Sequence, residues 1–254
     1  MQHPHNFVSV NISFLLLILM MATTATLFAG QRRYASGTLP PSRFADPDRT
    51  RKLAAAFPEI ERLFTSWVER QQMPGAVLGI IVDGELVWVK AAGVRETKDR
   101  APVTPDTVFR IASMTKSFTA LSILKLRDEG KLSLDDPVAR FVPALADLPY
   151  PTKDSSVLTI RHLLTHSEGF PEDNPWGDRQ LAQSDETMRN WLRAGIPFST
   201  APGTAFEYSN YGFAILGQVV ARASGRPYAD YVRDQILLPL GMRSSTFDVV
   251  AVTR

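Results

Sequence analysis

AVLGIIV at 76–82, the pair Asp83-Gly84 and ELVWVKA at 85–91 make up a single signal. Two runs rich in β-branched and apolar side chains flank a dipeptide that tolerates positive φ at both positions. The spacing predicts two antiparallel strands joined by a type I′ turn. Upstream, Phe57, Ile60, Phe64, Trp67 and Val68 recur at helical spacing, which predicts a helix over 51–72 restarted at Pro58. Downstream, Val108 to Ile111 reads as another short strand. A helix follows from about Ser113, with Met114, Phe118 and Leu121 on one stripe and Gly130 as its stop. Further helices are expected at 159–165, 186–194, 211–224 (ended by Gly225 and Pro227) and 228–237. An amphipathic helix, a hairpin and then mostly helices predict an α+β fold, an antiparallel sheet covered by helices.

Composition narrows the function classes. With 44% apolar and 21% charged residues among 254, the chain buries a sizeable core. A net charge of +2 gives no surplus for a polyanion, so nucleic acid is not an expected partner. The absence of cysteine removes disulfides, a thiol nucleophile and cysteine metal sites. Residues 1–30 hold no Lys, Arg, Asp or Glu, and the apolar run 14–29 is short for a bilayer span. It reads as a signal peptide with small residues at Ala22, Ala25, Ala29 and Gly30, giving a periplasmic or secreted product. Arg32 and Arg33 keep an uncleaved membrane anchor open as the alternative. Residues 31–50, rich in Pro, Ser and Arg, read as a linker, and 51–254 as the folded domain.

Two short motifs carry chemistry. In Ser113-Met-Thr-Lys116 the two ends share a helix face, so the lysine amine reaches the serine oxygen. A serine hydroxyl needs such a base to become a nucleophile. At a helix start its backbone N–H is also free to meet an oxyanion. The same spacing recurs in Ser122-Ile-Leu-Lys125, but nine residues turn the helix by half a revolution, and Ser122 is mid-helix. The second motif, Tyr208-Ser-Asn210, follows the turn Ala201-Pro202-Gly203-Thr204. Residues two apart in an extended segment point the same way, so phenol and amide can enter one site. Taken alone, the segment also reads as a loop tyrosine and an asparagine helix cap.

With their surroundings the two motifs resemble the serine β-lactamase and penicillin-binding-protein superfamily, in its class C-like branch. The similar stretches are FRIASMTKSFTA (109–120), GKLSLDDPVARFVP (130–143), LTIRHLLTHSEGF (158–170), PGTAFEYSNYGFAILGQVV (202–220) and YVRDQILLPLGMRSSTF (231–247). The resemblance implies a β-lactamase/transpeptidase-like fold with a helical subdomain. It implies that Ser113 is the acylated nucleophile, Lys116 its base, Tyr208 a proton carrier and Asn210 a substrate-binding residue. The implied reaction is acyl transfer on an amide, β-lactam or ester, with no cofactor or metal and a small molecule or peptide as substrate. The superfamily's third motif, K-T-G, K-S-G or H-x-G, does not follow Asn210. The resemblance therefore implies a partial domain without the strands that pair with the hairpin, and without the second oxyanion donor. A catalytically silent binding or sensor protein on the same fold is the alternative. An α/β-hydrolase has no support, because no G-x-S-x-G occurs.

The remaining polar residues read as structural. His162 and His166 have the i, i+4 spacing of a metal pair, but HLLTH lacks the glutamate of H-E-x-x-H. Glu168 reads as a solvated loop acid. Asp135-Asp136 reads as a turn and cap. Trp176 and the loop 171–185 either line a cleft or cover the core.

Overall fold

The computed structural model describes residues 45–173 and 183–248. The apolar run 14–29, most of the linker and Trp176 lie outside the described residues.

The described residues form two compact units. The first takes the described residues up to Met73 together with Leu78–Lys90. Helix α1, Arg49–Ala54, is followed by α2, Phe57–Arg70, with Pro58 in the first turn. There the missing proline N–H leaves no acceptor unsatisfied, so the restart falls where expected. Helix α2 buries Phe64 and Val68. The strands are β1, Gly75–Val82, and β2, Glu85–Gly93. Asp83 (φ 54°) and Gly84 (φ 83°) are both left-handed, as a type I′ turn requires. Trp88 of β2 meets the Phe57 ring at 5.7 Å between centroids, and Lys90 is ion-paired with Glu61.

The second unit comprises Pro74–Val77 and the described residues from Ala91 onward. Its centre is helix α6, Asn210–Ser224, which packs against α3 (Thr115–Asp128), α4 (Ile160–Leu164) and α7 (Tyr228–Val232). Ile215, Leu216, Val219 and Val220 are fully buried, the spacing of a single helix face. Gly225 ends α6 in a left-handed cap, and Gly130 (φ 72°) follows the end of α3. Helix α5, Asp185–Ala194, starts on Ser184, whose side chain accepts the Thr187 N–H. Helix α7 continues into a π-type turn, Arg233–Leu237, so the expected 228–237 segment is helical throughout. Asp136 accepts the Ser133 N–H at 2.8 Å, and Asp135 pairs with Arg161. The two acids thus serve a turn and an ion pair, not one site.

Two expectations are corrected here. Val108–Ile111 is not a strand. Among the described residues the sheet contains β1 and β2 alone, so this run has no ladder to join, and Val108, Phe109 and Ile111 stay exposed. The core stripe of α3 is also rotated from the one expected. Thr119, Ser122, Ile123 and Leu126 are buried, whereas Met114 and Leu121 are exposed. Phe118 packs instead against Val232, Ile236 and Leu237. Helix α3 carries apolar residues on more than one face, and the position of α6 selects which face is buried.

Candidate active site

Ser113 lies in a 3₁₀ turn, Ala112–Met114, that leads directly into α3. With no strand ahead of it, the entry is made by Ala112 at φ 44°, a left-handed conformation that costs a residue with a Cβ. The turn leaves Ser113 exposed, with its N–H in the first turn, where intrahelical acceptors are lacking. One turn on, the half-buried Lys116 donates from Nζ to Ser113 Oγ at 3.2 Å.

The second motif arrives from the start of α6. The Tyr208 hydroxyl is 2.7 Å from Ser113 Oγ, and Asn210 Oδ1 accepts from Lys116 Nζ at 2.6 Å. Lys116 Nζ also lies over the Tyr208 ring, 4.7 Å from its centroid, and 5.6 Å from that of Phe213. The four residues singled out in the two motifs therefore form one hydrogen-bonded cluster. Asn210 Nδ2 is buried and has no hydrogen-bond partner. The cap of α6 is Ser209, whose hydroxyl accepts the Gly212 N–H at 2.9 Å. Asn210 is thereby free of the capping role and turns its amide to Lys116. Ser122 is fully buried and donates to the Phe118 carbonyl at 2.8 Å, away from this cluster.

Both histidines among the described residues support backbone. His162 Nδ1 accepts the Thr159 N–H, completing a capping box at α4. Gly203 (φ 84°), in the turn after Pro202, passes so close to the His162 ring that a Cβ would sit 3.2 Å from Nε2. His166 Nδ1 accepts the Ser209 N–H at 3.1 Å, and its ring lies 4.7 Å from Tyr208 and 5.0 Å from Phe213. Burial, then the charge of Lys116, lowers the His166 pKa and favours the neutral acceptor form. No group of three or more His, Asp or Glu suited to a metal occurs among the described residues.

Glu168 is not a solvated acid. It is fully buried, and neither carboxyl oxygen has a well-formed partner. A Cβ on Gly212 of α6 would lie 2.2 Å from its Oε1. Burial pushes the Glu168 pKa up to about 8, with Asp173 and Glu207 adding to the shift and Ser209 opposing it. Chain folding puts a helix over this loop, which its local polarity does not reveal. Asp173 went unrecognised in the sequence as well. Its carboxylate accepts the Ser209 hydroxyl and the Asn210 and Tyr211 N–H groups, across more than thirty residues, and no local pattern marks such a contact.

A serine hydrogen-bonded to both a lysine and a tyrosine, with an asparagine on the lysine, is an arrangement that can serve nucleophilic acyl transfer. In keeping with this, the chain belongs to the Beta-lactamase family, whose model matches residues 60–253. Penicillin-binding protein 4* of Bacillus subtilis (strain 168) is 30% identical over 191 residues, 73% of this chain and 40% of that protein. Esterase EstB of Burkholderia gladioli is 34% identical over 206 residues, 74% of this chain and 50% of that protein. The solved structure of the octameric penicillin-binding protein homologue from Pyrococcus abyssi superposes with a TM-score of 0.67 and 34% identity. It covers 78% of this chain and 46% of that one. The chain spans half or less of the length of these relatives.

Proposed function

We propose that this chain carries the acylation centre of a serine hydrolase acting on an amide, β-lactam or ester carbonyl. The observation that carries the reading is the continuous contact from Asn210 through Lys116 and Ser113 to Tyr208. Ser113 Oγ attacks the carbonyl carbon while its proton passes to Lys116 or Tyr208, both within reach. The tetrahedral oxyanion is met by the Ser113 N–H at the helix start. Tyr208 then delivers a proton to the leaving nitrogen or oxygen as the bond breaks, which leaves an acyl-serine. Water attacks that ester with Tyr208 as base, and Ser113 recovers its proton. Asn210, whose Oδ1 accepts from Lys116, is the substrate-binding residue beside the acyl group.

A silent binding protein is the weaker reading, since nucleophile and base both remain and touch. Labelling with a fluorophosphonate or a fluorescent penicillin, followed by tryptic mass spectrometry, tests the proposal. An adduct on Ser113 that disappears in Ser113→Ala is expected. An adduct on Ser122, or none at any probe concentration, refutes the reading.

Export belongs to the same proposal, on the strength of the uncharged apolar segment at 14–29. A C-terminally tagged chain should be recovered outside the cytoplasm about 3 kDa shorter, on the usual size of a removed signal. A full-length product in the membrane fraction would indicate the anchor instead.

A further inference from the structure

Asp173 belongs to none of the motifs, yet it makes three hydrogen bonds to the start of α6. Its Oδ1 accepts the Asn210 N–H at 2.8 Å. Its Oδ2 accepts the Tyr211 N–H at 2.7 Å and the Ser209 hydroxyl at 3.1 Å. The Ser209 hydroxyl in turn accepts the Gly212 N–H. One carboxylate thus satisfies two of the N–H groups that a helix start leaves bare, and through Ser209 it orients the acceptor of a third. It does so at the positive end of the helix dipole, where a negative charge is stabilising. His166 Nδ1 separately accepts the Ser209 N–H. The backbone at 209–211 is therefore held by two side chains, His166 and Asp173.

We infer that Asp173 is a positioning residue, whose carboxylate locks the first turn of α6 so that Tyr208 and Asn210 meet Ser113 and Lys116. The inference rests on the acyl-transfer reading for its effect on rate, but not for its effect on the backbone. Without the clamp the first turn of α6 frays, and both side chains leave their stations together. A displacement of about 1 Å in such a cluster costs about 10²-fold in rate.

Asp173→Ala and Asp173→Asn in the full chain test this by two independent readouts. The first is amide hydrogen exchange. In both variants peptides covering 208–212 should exchange at least tenfold faster, with the body of α3 unchanged. The second is fluorophosphonate inactivation of Ser113. The maximal rate should fall about 100-fold in Asp173→Ala, by the same misplacement estimate, with half-saturation and final labelling stoichiometry near wild type. Asp173→Asn, which keeps one carbonyl acceptor, should lose less. A purely structural role would instead lower the stoichiometry, as fewer molecules fold, and leave the rate per folded molecule intact. That result overturns the inference, as does wild-type exchange at 208–212. If Asp173→Ala does not fold, the Asn variant decides by the same criteria. If the wild-type chain itself is never labelled, the acyl-transfer reading fails, and exchange alone judges the clamp.

Discussion

Glu168 shows what one buried side chain does to the pH response of the molecule. Its folded pKa, about 8, lies above the ordinary value of 4.5, because burial disfavours the charged form. The native state therefore holds a proton that the unfolded chain has released. The stabilisation is fully present below about pH 4.5 and is lost as pH rises to about 8. Glu168→Gln keeps the shape and removes the titration. Urea unfolding at a series of pH values should show the wild-type decline flattened in the variant, and the variant should be the more stable at pH 8. In the proposed acyl-transfer centre, Tyr208→Phe removes the hydroxyl that lies 2.7 Å from Ser113 Oγ. Its acylation rate should drop about 10²–10⁴-fold, the range for loss of a positioned proton carrier, with no matching fall in melting temperature.

At the scale of elements, the contact between α6 and the loop beneath it is tight at a single point. Gly212 has no room for a methyl group, because Glu168 Oε1 occupies the space. Gly212→Ala should cost about 1–3 kcal/mol, the range for overpacking a filled interior. In a Glu168→Ala background the same substitution should cost at least about 1 kcal/mol less, as expected for residues in direct contact. Thermal denaturation of the four proteins completes the cycle. Additive costs would mean that the two residues do not share this space. The cap is separable: Ser209→Ala should cost about 1 kcal/mol through loss of the bond to the Gly212 N–H.

For the molecule as a whole, the rotated stripe of α3 makes a sharp prediction. Leu126 is fully buried against the core around α6, whereas Leu121 is 42% exposed. Leu126→Ala should cost about 2–5 kcal/mol and Leu121→Ala under about 1 kcal/mol, measured as unfolding free energies. Equal costs would place the core on the face suggested by the apolar spacing. The same helix carries Lys116 in its first turn, directly after the 3₁₀ turn that holds Ser113, and core residues further along. Losses at Leu126 should therefore appear in the fraction of chain that can be labelled before they appear in the rate of labelling.

The sequence by itself determined the hairpin, because Asp83-Gly84 encodes its turn geometry within two residues, and the restart at Pro58, because ring chemistry permits proline there. It also determined the pairing of Ser113 with Lys116, since a helix brings i and i+3 together wherever it lies. The turn at Pro202-Gly203 and the helix beyond Tyr208-Ser-Asn210 were legible for the same reason: each depends on interactions within a few residues. Only the tertiary structure decided what lies across long separations. It brought Tyr208 onto Ser113, buried Glu168 under Gly212, and set Asp173 against the start of α6. It also left 108–111 without a strand partner among the described residues. Solvent exposure and ladder pairing depend on neighbours distant in the chain, so local spacing carries no record of them.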